Sequence, residues 1–200
     1  LTYKTQNGFT HSANFQYSTS TDINRYDRLT DPAGSGLKSA EWYYGPQKRL
    51  LGIYSLEKEN VFSNTDFKLD AGYQNIEESR HNRNFGNYNL QNRVEKVAVY
   101  SLAVNFETKL IKGNLYYGIE NYYDDLKSTA HKNNINTGVD VPLDTRYPNG
   151  KNNMMRNDVY VSYSSKRYEA TNFSIGARAG YATLNSTIAD NSILPLPFTE

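Results

Sequence analysis

Apolar and polar residues alternate with a period of two along most of this chain, the pattern of strands that present one face to an apolar medium and the other to water. The clearest run sets Tyr100, Leu102, Val104 and Phe106 against Ser101, Ala103, Asn105 and Glu107. Phe9, Ala13, Phe15 and Tyr17 likewise oppose Thr10, Ser12, Asn14 and Gln16, and Phe67, Leu69, Ala71 and Tyr73 oppose Asp66, Lys68, Asp70 and Gln74. Leu115, Tyr117, Ile119 and Tyr123 stand against Gly118, Glu120 and Asp124. Two later runs, Val159 to Tyr163 and Phe173 to Tyr181, behave the same way, with Asp158, Ser162 and Arg178 on their polar sides. Arg49 to Glu59 carries apolar residues on both faces and is read as a strand because its neighbours need a partner. About seven strands result, and no helix. The 18 Tyr and 8 Phe beside one Trp and two Met suit strands. No stretch approaches the roughly 18 apolar residues of a membrane helix.

The connections carry more information than any one strand. Phe62–Thr65, Thr108–Gly113 and Arg167–Asn172 fit tight hairpin turns, whereas Thr19–Gln47, His81–Asn92 and Lys132–Met155 read as long polar loops. All the short turns fall at one end and all the long loops at the other. That segregation is the layout of a transmembrane β-barrel, and Arg93–Glu107 and Asn114–Lys127 exceed the roughly 9–11 tilted residues that cross a bilayer. Two aromatic girdles are expected: Phe62, Phe67, Phe106, Tyr116, Tyr117 and Phe173 toward the short turns, and Tyr17, Tyr73, Tyr122, Tyr123 and Tyr181 toward the loops. The small polar faces suit a lumen, so Lys68, Asp70, Glu120 and Arg178 are expected to face inward. An antiparallel meander of seven strands cannot close on itself, because its first and last strands run the same way. The fold class expected is therefore all-β, an antiparallel up-and-down barrel segment. Residues 1–200 are expected to be part of a single barrel domain, opening before a strand and stopping in a loop at Leu194–Glu200. A soluble β-sandwich binding carbohydrate through loop aromatics is the alternative, and it predicts folding in water.

Lys+Arg 22 against Asp+Glu 21 leaves a net charge of +1, which gives no field for gathering nucleic acid. With no cysteine there are no disulfides, thiolate zinc sites or cysteine nucleophiles.

Several separated stretches carry a family resemblance. Ile23-Asn24-Arg25-Tyr26-Asp27-Arg28-Leu29-Thr30-Asp31 and Leu37-Lys38-Ser39-Ala40-Glu41-Trp42-Tyr43-Tyr44-Gly45-Pro46-Gln47-Lys48-Arg49 occupy the first long loop. Tyr73 to Arg80, Arg93-Val94-Glu95, Val99-Tyr100-Ser101 and Thr145 to Gly150 follow in order. Together they resemble TonB-dependent receptors of the Bacteroidetes type. The resemblance implies an outer-membrane barrel of about 22 strands around an N-terminal plug, here absent together with its TonB box. It also implies import of a small-molecule chelate such as an iron siderophore or haem, energised by the TonB-ExbB-ExbD complex. The partners implied are the plug domain of the same chain, that complex, the chelate and outer-membrane lipid. No resident cofactor is implied, and no catalytic residue.

Arg25, Tyr26 and Arg28 with Trp42, Tyr43 and Tyr44 form an aromatic, charged set suited to planar or anionic ligands, as against plain loop packing. Arg80, His81 and Arg83 sit where a strand leaves the membrane, able to hold a carboxylate-rich ligand or, through His81, a haem iron; solvated strand-tip charge is the duller alternative. His131 opens the third loop with the same duality, while His11 lies among apolar residues. Three scattered histidines lack metal-site spacing. Glu77-Glu78 and Asp124-Asp125 cannot flank one bond, because adjacent strand residues point to opposite faces. Asp22, Asp27 and Asp31 lack calcium-loop spacing, and Gly34-Ser35-Gly36 lacks a phosphate-loop context. No nucleophile, base and orienting group converge as an enzyme built on a small barrel requires.

Overall fold

The computed structural model describes residues 1–165 and 172–189. In chain order the elements are β1 (Thr2–Lys4), β2 (Thr10–Thr19), β3 (Ile23–Asn24), α1 (Tyr26–Leu29), β4 (Pro32–Ala33), β5 (Gly36–Leu37) and β6 (Ser39–Tyr44). The long strands follow: β7 (Lys48–Phe62), β8 (Thr65–Asn84), β9 (Asn89–Leu110) and β10 (Gly113–Asn134), then β11 (Asp140–Pro142), β12 (Asn152–Ser165) and β13 (Ser174–Ser186). Strands β1, β2, β7, β8, β9, β10, β12 and β13 lie side by side in that order in one antiparallel sheet. The fold is all-β and the sheet is open among the described residues, with β1 and β13 at its edges.

The register explains why the alternation is so consistent. Every apolar face read from the sequence falls on the same side of the sheet. Phe67 pairs with Phe106, Phe106 with Tyr117, Tyr117 with Val161 and Val161 with Ala177. Further along, Tyr73 pairs with Tyr100, Tyr100 with Tyr123 and Tyr123 with Met155. Between these rows lie Leu69, Val104, Ile119 and Val159. The first row packs with ring centroids 5.5 and 5.2 Å apart, and Phe62 joins it 5.9 Å from Phe106. The second row packs at 5.1 and 6.2 Å. On β8 the nearest polar residues of this face are Thr65 and Asn75, so nine residues, Asp66 to Gln74, separate them. Asn121 and Asn157 interrupt the band as a pair, Asn121 Nδ2 donating to Asn157 Oδ1 at 2.6 Å, and His11 interrupts it on β2, its Nδ1 2.7 Å from the Tyr54 hydroxyl.

The band also slants across the rungs of the sheet. It spans Leu50 to Leu56 on β7, Phe67 to Tyr73 on β8, Leu115 to Tyr123 on β10 and Ile175 to Tyr181 on β13, shifting toward the short turns between β7 and β13. From β7 to β13 the displacement is four residues across five strand spacings, a width of about 24 Å, which makes the strands about 30° off the normal to the band.

Among the described residues no second layer covers this band. Leu143, 8% exposed, is the buried apolar side chain among the described residues, while Ile119 is 51% and Val159 55% exposed. The accessible surface of 13737 Å² compares with roughly 9,600 Å² for a compact monomer of this mass. The opposite face is polar and ion-paired. Arg178 Nη2 lies 2.6 Å from Glu120 and 2.9 Å from Asp158, and Lys68 Nζ lies 3.1 Å from Glu57 and 3.7 Å from Asp70. Tyr160 crosses Gly118 to donate its hydroxyl proton to Asn105 Oδ1 at 2.7 Å.

Three expectations need correction. His81–Asn92 is not a long loop, because β8 runs to Asn84, β9 starts at Asn89 and the turn between them is Phe85–Tyr88. Residues on both faces are polar there, which hides the alternation, yet the ladder continues. The first and third long loops are likewise partly strand, and Tyr26–Leu29 forms one helical turn. Tyr116 and Tyr122 stand on the polar face, since even-numbered residues of β10 point away from Tyr117 and Tyr123. The turns Phe62–Thr65 and Thr108–Gly113 are two-residue hairpins at Ser63-Asn64 and Ile111-Lys112. Apart from Asn172, the Arg167–Asn172 turn lies outside the described residues, as does Leu194–Glu200.

Candidate functional site on the polar face

Strand β8 outruns its neighbour β7, whose pairing reaches only Lys48 opposite Glu77. Strand β6 takes over beyond that point, pairing Tyr44 with Arg80, Tyr43 with His81 and Trp42 with Asn82. The break between β6 and β7 falls at Gly45, whose φ of +100° and closeness to Thr21 O, 2.9 Å from where a Cβ would sit, require glycine. Ser79 Oγ donates to Gly45 O at 2.9 Å, and Gly45 N donates to Ser79 O at 3.1 Å, locking the switch of partner.

This handover assembles a cluster on the polar face. Trp42 and Tyr44 pack edge to face at 5.0 Å. The Arg25 guanidinium lies 5.0 Å from the Trp42 centroid and 5.4 Å from that of Tyr44, while Arg80 lies 5.8 and 5.6 Å away. Two cations therefore share one aromatic pair, an arrangement strengthened by desolvation. Arg25 Nη1 also donates to the Tyr44 hydroxyl at 2.6 Å and its Nε to Asp27 Oδ1 at 2.7 Å. That hydrogen bond raises the Arg25 pKa and holds the Asp27 carboxyl below its ordinary value.

Among the described residues Arg80 has no such carboxylate. Its Nε is buried without a hydrogen-bond partner, and its register partner on β9 is another cation, Arg93. Arg93 is relieved by Asp144 at 3.3 Å from the third loop. One rung lower, Glu78 faces Glu95, to which Ser128 Oγ donates at 3.4 Å. Arg146 completes a recess of about 220 Å³ between Tyr44, Glu78, Arg80 and Glu95. A cation with an unused buried donor, walled by aromatic rings, is equipped to take a carboxylate or another planar anion.

Neither family models, nor curated proteins, nor solved structures match this chain.

The remaining candidates separate by strand parity. His81 and Arg83 point to the side opposite Arg80. There His81 stacks on Tyr43 at 4.7 Å and its Nδ1 lies 2.6 Å from Asn92 Oδ1, while Arg83 Nε donates to Glu41 at 2.7 Å. Burial raises the Tyr43 pKa. His131 stands across Asn92 on the same row, and among the described residues no three metal-binding side chains gather. Arg28 pairs with Asp31 at 3.4 Å and approaches Asp27 at 3.9 Å, so two of the three loop aspartates are engaged by arginine. Tyr26 is exposed on α1. Of the nine predicted ligand residues, Arg25, Trp42, Tyr44 and Arg80 form one cluster; Tyr43, His81 and Arg83 lie on the other face; Tyr26 and Arg28 lie apart. Sequence reasoning missed Glu95, Asp144 and Arg146 as members, and Arg93 as the residue facing Arg80. The signal for Arg93 was its position, symmetric with Arg80 about the Phe85–Tyr88 turn.

Proposed function

We propose that the chain is a wall section of an outer-membrane TonB-dependent transporter, with the aromatic-bounded face against lipid, the polar face toward lumen and plug, and the long-loop end outside. The observation that carries this is the uncovered apolar band. Its nine-residue span matches the roughly 9–11 residues of a tilted transmembrane strand, an aromatic row forms each of its two ends, and its slant is what tilted barrel strands demand. A soluble sheet leaving such a face bare would forfeit the burial that folds it. A β-sandwich needs a second layer, and the described residues supply one layer.

In this role every strand amide pairs with a neighbour, and the edges β1 and β13 join further strands of the same barrel. Lys68, Asp70, Glu120 and Arg178 line the lumen beside the plug. The Arg25, Trp42, Tyr44 and Arg80 cluster lies on the lumen side of the external extension, where an anionic chelate meets it before passing inward. The TonB complex of the inner membrane supplies the energy; the chain performs no covalent chemistry.

Trp42 is the single tryptophan of these residues and lies against both arginines, so in the full-length protein its environment can be followed after replacing any other tryptophan by phenylalanine. Titration with a ferric siderophore or haem should quench it saturably. Arg80→Ala should weaken that binding about tenfold to a hundredfold, the usual cost of a lost hydrogen bond to a charged group. A protein recovered from the soluble fraction, or one whose quenching is unchanged by Arg80→Ala and Arg25→Ala, contradicts the proposal.

A further inference from the structure

One row of the sheet carries an unusual charge. Following the register outward from the tyrosine row, Lys48 pairs with Glu77, Glu77 with Lys96 and Lys96 with Lys127. Lys151 immediately precedes β12, next to Asn152, which pairs with Leu126. Lys48, Glu77, Lys96 and Lys127 are on the side of the sheet that bears the apolar band, one or two same-face positions beyond its outer end. Glu77 is shared, 3.1 Å from Lys48 Nζ and 2.9 Å from Lys96 Nζ. Among the described residues, neither Lys127 nor Lys151 has a carboxylate within ion-pair distance. The unpaired Asp125, one rung nearer the band, only partly offsets them.

Like charges directly opposite on a sheet destabilise it, and Lys96 facing Lys127 is such a pair. Among the described residues no mirror of the row stands on the strands at the short-turn end of this face, where Lys58 rests over the Phe9 ring at 4.5 Å. Among the described strand residues of this face, the cationic excess lies at the long-loop rim. Resting on the barrel reading above, we propose that Lys48, Lys96 and Lys127, with Lys151 next to them in the chain, form a docking row for phosphomonoester-bearing lipid headgroups of the outer leaflet. The location suits this occupant: the acyl chains lie against the apolar band, and the headgroup reaches the lysines just past the tyrosines. Ammonium groups bind phosphate as compact point charges, and a doubly charged phosphate set between Lys96 and Lys127 turns their repulsion into two charge-assisted hydrogen bonds.

The test uses the full-length protein in phosphatidylcholine vesicles with and without diphosphoryl lipid A, followed by detergent extraction and assay of co-retained lipid A by its 3-hydroxy fatty acids, which phosphatidylcholine lacks. Protease protection of the strands reports insertion separately. Wild type should retain lipid A. Lys96→Ala with Lys127→Ala should insert normally yet retain about 25-fold less, at about fivefold per lysine near an anionic surface. Lys58→Ala, on the same face at the other rim, should retain as wild type does. Equal retention by the double variant overturns the docking row while leaving the barrel intact. Failure of every form to insert in either vesicle overturns the barrel and the row with it.

Discussion

Ile119 on β10 offers the sharpest contrast between a lipid-facing sheet and a water-facing one. It is 51% exposed at mid-band, between Val104 and Val159. In water, Ile119→Arg would forfeit only cross-strand contacts, about 0.2–1 kcal/mol. In a bilayer the same substitution places a guanidinium near the midplane, at about 2–4 kcal/mol. The difference is on the order of a hundredfold in the folding equilibrium at its centre. The control is Ala103→Arg, at the same depth on the other face, where Asp70 and Glu120 are its register partners and a cation is accommodated. Urea titration of the full-length protein in phosphatidylcholine vesicles gives both values. Ile119→Arg should lose about 2–4 kcal/mol while Ala103→Arg changes by about 0.5 kcal/mol or less. Equal, small effects of the two would refute the assignment of faces.

Other consequences are more local. The Arg25–Asp27 pair depends on an ionised Asp27 whose pKa is depressed below the ordinary 3.8, so its contribution is complete above that value and fades as pH falls through the lower folded one. Trp42 emission should therefore stay flat from neutral pH to about 4 and change only below it, and Asp27→Asn should abolish that change. Gly118 has the Val104 carbonyl and the Tyr160 ring where a Cβ would go, so Gly118→Ala should cost about 1–3 kcal/mol in the same urea titration. Arg178→Glu would set a third carboxylate beside Glu120 and Asp158; membrane insertion should survive while plug retention, read by limited proteolysis, falls.

The apolar faces were legible because each β-strand residue has one face, and six separate alternations proved to share a side once the strands were in register. Phe67, Phe106 and Tyr117 are the example: nothing local says that they meet, yet tight turns at Ser63-Asn64 and Ile111-Lys112 leave little choice of register. The outer halves of β8 and β9 were not legible. Their residues are polar on both sides, so the period-two signal vanishes while the hydrogen-bond ladder does not. That loss had a direct price at the site, since a hairpin mistaken for a loop conceals that Arg80 faces Arg93 and Glu78 faces Glu95. The grouping of Arg80 with His81 and Arg83 failed by parity, the rule that already separated Glu77 from Glu78. The contributions of Asp144 and Arg146 come from a loop whose return path no local pattern encodes.

The sequence contains no cysteine, so single cysteines can be placed at will along β10 and its neighbours, with any native cysteine elsewhere in the full-length protein replaced by serine. In outer membranes, cysteines at Leu102, Ile119 and Val159 should react with a lipid-soluble maleimide and resist a charged one, whereas cysteines at Ser101, Ala103 and Ser162 should react with the charged reagent. Labelling of all six positions by the charged reagent would mean that water reaches both faces and that this sheet is not the wall of a membrane barrel.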